Sequence, residues 1–246
     1  MKSRKLLKII LITLLILVFV CGIGFLYLYH HGLSGMVSQN DKPASGRIKV
    51  ACVGDSITYG HGIKDWSKNN YPAVLQNLLG DGYHVQNFGV SGRAVQDNSD
   101  QPYRAVQQYQ DSIAYDADIL IFMMGSNDTK PENWFGEDAF KSAMIDLLDD
   151  YTQGEDKPQI YICTTPSCYF LKNSTGEQTN FGLRPAYAEI AANIAQEVAD
   201  AFDYPVIDIH TLTAENPQWF ETDGVHPDND GAAAIAMAIY QAITGA

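Results

Sequence analysis

The run Ile48-Lys49-Val50-Ala51-Cys52-Val53-Gly54-Asp55-Ser56-Ile57-Thr58-Tyr59-Gly60 decides how the rest of the chain is to be read. Its first six residues are short, mostly apolar and rich in Val and Ile. That composition, ended by a glycine, suits a buried strand. The seven residues that follow are small and glycine-bounded, so they read as a strand-to-helix turn.

Outward from this stretch the same alternation repeats. Residues 84–88, 118–124, 159–164 and 205–209 have strand composition. Residues 71–79, 102–112, 137–151, 184–202 and 232–243 have helical spacing. Strands alternating with helices imply βαβ units and a parallel sheet covered on both faces. The expected fold is α/β, a flavodoxin-like three-layer α/β/α sandwich around a five-stranded parallel sheet. In such sheets the ligand crevice lies beyond the carboxyl ends of the strands.

The N-terminus is different material. Residues 9–29 are 21 consecutive residues without a charge, and Lys2, Arg4, Lys5 and Lys8 precede them. At 1.5 Å per residue the run is about 30 Å of helix, long enough to cross a bilayer. It exceeds the apolar region of a cleaved signal peptide, and no clear cleavage site follows it. The sequence therefore predicts a membrane anchor over 1–30, one transmembrane helix, a flexible tether over 31–46 and a globular body over 47–246. The cation bias predicts a single-pass protein of the cell membrane, with its N-terminus cytoplasmic and its body extracytoplasmic.

With 16 Lys and Arg against 29 Asp and Glu, the formal net charge is −13. An acidic body repels a phosphate backbone, so nucleic acid is not an expected partner. Of the four cysteines, Cys21 lies in the apolar run. Cys52 and Cys163 suit buried small hydrophobes. Cys163 and Cys168 are close enough in sequence to pair or to remain free. No Cys/His spacing of a metal site and no His-Glu-x-x-His set occurs, so neither metal nor other cofactor is expected.

Four glycine-rich segments fall where the fold requires turns. Gly54-Asp-Ser-Ile-Thr-Tyr-Gly60, Phe88-Gly-Val-Ser-Gly92 and Gly125-Ser-Asn-Asp128 each follow a predicted strand, and Asp223-Gly-Val-His-Pro227 precedes the last helix. Each has an ordinary reading: Ser56 as a helix cap, Gly89 and Asn127 as turn residues, Asp223 as the cap of the final helix. Each also carries a group that acyl transfer needs. Ser56 is a nucleophile once a base takes its proton. The three-residue spacing from Asp223 to His226 lets a carboxylate orient an imidazole as that base. Gly89 and Asn127 supply donors for an oxyanion.

Taken in order, these segments resemble the four sequence blocks of the SGNH (GDSL-type) hydrolases. The resemblance covers residues 48–243. It implies a serine esterase in which Ser56, Asp223 and His226 are catalytic, and Ser56, Gly89 and Asn127 form the oxyanion hole. The wording of Asn70-Tyr-Pro-Ala73, Asn87-Phe-Gly-Val-Ser-Gly92, Lys130-Pro-Glu-Asn-Trp134 and Pro205-Val-Ile-Asp208 resembles small carbohydrate acetylesterases, among them acetylxylan and sialate O-acetylesterase relatives. That implies O-acetyl groups on sugars or cell-wall glycans as substrate. A lysophospholipase or thioesterase, or a catalytically silent glycan-binding protein, are the alternative readings. Trp134, Tyr59 and Tyr169 are candidates for substrate contacts at the rim. Arg93 suits a surface ion pair.

Overall fold

The computed structural model describes residues 18–22, 24, 45–154, 156–170 and 180–246. Five strands, β1 (Ile48–Gly54), β2 (Tyr83–Asn87), β3 (Ile119–Met123), β4 (Gln159–Cys163) and β5 (Val206–Ile207), form one parallel sheet in the order β2-β1-β3-β4-β5. This is the flavodoxin-like order, which reverses direction between β1 and β3. Gly54, the last residue of β1, pairs with Met123, the last residue of β3. The loops leaving both strands therefore start side by side.

Alternate side chains divide the core. Ala51, Val53, Leu120, Phe122, Ile160 and Ile162 face one layer, built from α5 (Glu137–Asp149) and α6 (Pro185–Phe202). Val50, Cys52, Ile119, Ile121, Met123 and Tyr161 face the other. That layer holds α1 (Ser56–Tyr59), α2 (Trp66–Asn69), α3 (Tyr71–Leu79), α7 (Ile209–Ala214) and α8 (Asn229–Thr244). α4 (Gln107–Ala114) lies between β2 and β3. Burial on both faces explains why the strands read as continuous apolar runs rather than as alternating ones.

Caps account for several boundaries. The Asn70 side chain accepts from Ala73 N–H to start α3, and Asp228 accepts from Asp230 and Gly231 N–H to start α8. The predicted strand over 205–209 shrinks to two residues because the Asp208 side chain accepts from Thr211 N–H and begins α7. The predicted helix over 102–112 breaks into a 3₁₀ turn, Tyr103–Ala105, and α4. Tyr103 N–H donates to Ala94 O and Ala94 N–H to Gln101 O across an isolated bridge, and Val106 is extended.

Cys52, Cys163 and Cys168 are buried free thiols, with Cys168 in a separate small cluster from Cys163. Burial pushes the Cys168 thiol up to about 12. Among the described residues no helix is long and apolar enough to cross a membrane. The apolar run at 9–29, which carries the expectation of an anchor, lies outside the described residues except for 18–22 and 24.

One close approach locks the first two loops together. A Cβ added at Gly89 would lie 2.2 Å from Tyr59 N and 2.7 Å from Thr58 C, both backbone atoms of α1. The Asn87 side chain reinforces the seam, donating to Thr58 O at 2.9 Å while its Oδ1 accepts from Gly89 N–H at 2.9 Å. Backbone cannot rotate away as a side chain can. Gly89→Ala is expected to cost about 1–3 kcal/mol as an overpacking substitution and to lower Tm by roughly 2–4 °C per kcal/mol. Thermal unfolding checks this; an unchanged Tm would show that the seam yields freely.

Candidate active site

Ser56 is the first residue of α1, directly beyond β1. The Asp55 side chain caps that short helix by accepting from Ile57 N–H at 2.9 Å, which fixes the backbone on which Ser56 sits. The Ser56 N–H falls in the first helical turn, where a helix offers no carbonyl to receive it. The Ser56 hydroxyl lies 2.8 Å from His226 Nε2.

His226 comes from the opposite end of the body. Its Nδ1 lies 2.8 Å from Asp223 Oδ2, and Asp223 Oδ1 accepts from Val225 N–H at 2.8 Å and His226 N–H at 2.9 Å. One carboxylate thus folds the loop and orients the ring. The final helix is capped by Asp228, not by Asp223. Burial raises the Asp223 carboxyl, but the bonds from His226 and Val225 outweigh it and hold the group below the ordinary carboxylate range. The loop turns through Gly224 at φ 72°, where a Cβ would meet Tyr169 O at 2.3 Å. Tyr169 N–H donates to Gly224 O at 2.7 Å.

Asn127 opens the 3₁₀ turn that follows β3. Its amide donates to Arg93 O at 3.1 Å and lies 3.4 Å from Asp55 Oδ2. Asp128, fully buried beside it, accepts from Val95 N–H at 3.0 Å and Gln96 N–H at 3.1 Å. Burial pushes the Asp128 carboxyl up to about 7 against the pull of those N–H groups. Asn133 closes the network by donating to Asn127 O and to Asp100. The loops after β2 and β3 are therefore one hydrogen-bonded unit.

These groups meet at a pocket of about 300 Å³ whose walls include Ser56, His226, Asn127, Gly92, Ser91 and Lys130. Among the described residues, no cluster of His, Cys, Asp or Glu is arranged to hold a metal ion.

The structure alters several of the expected assignments. Gly89 N–H donates to Asn87 Oδ1, and Gly89 is sealed against α1. The glycine that reaches the pocket is Gly92, at the end of the same segment, with φ 79° in a turn closed by Arg93 N–H to Val90 O. That is the position of a turn where left-handed backbone favours glycine. Tyr59 is not at a rim: it is 3% exposed, and its ring packs on Trp66. Trp134 is half-buried between Phe140 and Tyr187, on the core. Tyr169 uses its hydroxyl on Thr213 O and its ring on Phe220, so it braces the histidine loop. Arg93 forms no ion pair with a described residue; its Nε is buried without a hydrogen-bond partner.

His61, which no motif in the sequence marks, also lines the pocket. Its ring centroid is 4.4 Å from that of His226, and Phe181 stands edge-on to both rings. Burial, then the neighbouring His226, lowers the His61 pKa. Ser91 and Lys130, which the sequence offers only inside motifs with no role of their own, line the pocket with Phe181, because the folding of distant loops brings them together.

Residues 50–239 match the family model of the GDSL-like lipase/acylhydrolases. An acetylxylan esterase from Xylanibacter ruminicola is 34% identical over 243 residues, covering 90% of this chain and 49% of that protein. The chain thus spans about half the length of that relative. A carbohydrate acetylesterase from Sinorhizobium meliloti superposes with a TM-score of 0.66 at 18% identity, covering 81% of this chain and 99% of that one. A putative arylesterase from Agrobacterium tumefaciens superposes at 0.67 with 22% identity, covering 80% and 99%. Sequence match, sheet order and the meeting of the Ser56, Asn127 and His226 loops lead to one assignment: the chain belongs to the GDSL-like lipase/acylhydrolase family.

Proposed function

We propose that the body hydrolyses short-chain esters, chiefly O-acetyl groups on carbohydrates, through a serine acyl-enzyme. The observation that carries the reading is the continuous hydrogen-bond chain from Ser56 Oγ through His226 to Asp223, opening on a pocket. The acetylxylan esterase relative supports the acetyl and sugar parts.

The chemistry follows from the atoms in place. His226 Nε2 takes the Ser56 proton as Oγ adds to the acyl carbonyl. Asp223 holds the ring by Nδ1 and stabilises the imidazolium. The carbonyl oxygen becomes an oxyanion facing Ser56 N–H, Gly92 N–H and the Asn127 amide, donors fixed before the substrate arrives. His226 then returns the proton to the leaving alcohol. Water repeats the sequence on the acyl-enzyme, releases the acid and restores Ser56. The transferred part fits a small pocket, near the lower end of small-molecule sites. We further propose that the body acts outside the cytoplasm, tethered through residues 1–46; this rests on the composition of that segment alone.

Ser56→Ala and His226→Ala should each lower kcat on p-nitrophenyl acetate by ~10⁴-fold or more, to similar residual rates, because triad members act as a unit. Steady-state kinetics with circular dichroism on each variant provides the check, and near-native turnover in either removes the triad.

Asn127→Ala should lower kcat by about 10²–10³-fold with a smaller change in KM, since the amide serves the transition state. A loss confined to KM would make Asn127 a substrate contact only.

For the acyl side, kcat/KM on p-nitrophenyl esters should fall steeply from acetyl through butyryl to octanoyl. Each methylene gains roughly 0.8 kcal/mol only where the protein can bury it. A maximum at octanoyl would overturn the acetylesterase reading and favour a lysophospholipase or thioesterase.

A further inference from the structure

Among the described residues Lys130 is the one lysine in the pocket wall, and it is 9% exposed. A lysine so enclosed is ordinarily paired with a carboxylate. Lys130 forms no ion pair with a described residue, although the chain as a whole carries a net charge of −13. Asp55 feels its charge but is itself buried beneath Ser56, capping α1. Asp128 is committed to Val95 and Gln96, and Asp223 to His226. Among the described residues no carboxylate belongs to the pocket lining. Lys130 thus lines a cavity in which no described residue supplies a counter-charge.

Two neutral donors share that cavity. Ser91 Oγ is buried without a hydrogen-bond partner, and the Gln101 side chain lies over Gly92, 3.1–3.5 Å from where a Cβ would sit there. A buried hydroxyl left unpaired costs free energy unless a ligand satisfies it. An ammonium, a hydroxyl and an amide around one small space form a recognition set for a carboxylate. Resting on the esterase reading above, we propose that the enzyme prefers acetyl esters whose sugar carries a carboxylate: the uronate binds Lys130, with Ser91 and Gln101, while the acetyl group sits at Ser56. Lys130 is then a specificity residue, distinct from the groups that perform the chemistry.

The test uses an O-acetylated methyl glucuronoside and its uronate methyl ester, the same sugar with and without charge. The wild-type protein should prefer the acid by about 10- to 100-fold in kcat/KM, the range of one charge-assisted bond. Lys130→Gln should remove most of that preference, Lys130→Arg should keep most of it, and Ser91→Ala should reduce it severalfold. Raising the ionic strength should erode the preference by increasing KM for the acid. Equal losses on both sugars in Lys130→Gln would make the lysine a counter-charge for Asp55 and overturn the proposal. So would a wild-type enzyme that does not prefer the acid, or that cleaves p-nitrophenyl acetate but neither sugar. Failure on p-nitrophenyl acetate as well would bring down the esterase reading itself.

Discussion

One hydrogen bond, between Ser56 Oγ and His226 Nε2 at 2.8 Å, joins residues 170 positions apart. Each side is fixed to a different part of the body. Ser56 rides on a helix of four residues, clamped by the Asp55 cap and by the backbone approach of Gly89. His226 rides on a loop folded by Asp223 and braced by Tyr169. Asp55, Gly89 and Tyr169 lie behind the Ser56–His226 contact, yet its 2.8 Å distance lasts only while these supports hold. The sheet carries the cost of that precision: it is a stack of buried strands whose ends cannot drift independently.

The site sits where the sheet reverses direction, and this is a consequence of packing. Parallel strands send their connections to the two faces, and at the β1/β3 junction the outgoing loops diverge. The divergence leaves a crevice bordered by the loops after β1, β2 and β3. The network of Asp128, Asn133, Gln96 and Arg93 ties the second loop to the third, so the donors from both are placed as a unit. Preorganisation of this kind lets a few N–H groups stabilise a charge that exists only briefly.

The pocket also concentrates polar groups that have no partner among the described residues. His61 Nδ1 and Ser91 Oγ are buried and unbonded there, and Lys130 forms no ion pair with a described residue. In a core such groups would be a cost without return. At the mouth of a reactive serine they are open hydrogen-bonding capacity, and their signs and types describe the ligand they suit.

The order of elements, the parallel sheet and the hydrogen-bonded set of Ser56, His226 and Asp223 were legible in the sequence because each rests on local chemistry. Buried strands demand apolar runs, turns demand glycine, and Asp223 reaches His226 within one loop. The caps at Asp208 and Asp228 refine boundaries that periodicity alone cannot place. What the tertiary structure decided was which of several plausible residues face the crevice. Gly89 and Gly92 look alike in a string; only the approach of α1 shows that one is filled by backbone and the other opens on the pocket. Tyr59, Trp134 and Tyr169 read equally well as sugar platforms or as packing, and the neighbours that place them in packing are Trp66, Phe140, Tyr187 and Phe220. His61 and Lys130 carry no local signature at all, since their role depends on contacts made across the fold. Sequence determines what a residue can do; the packing of distant segments determines which residues are in a position to do it.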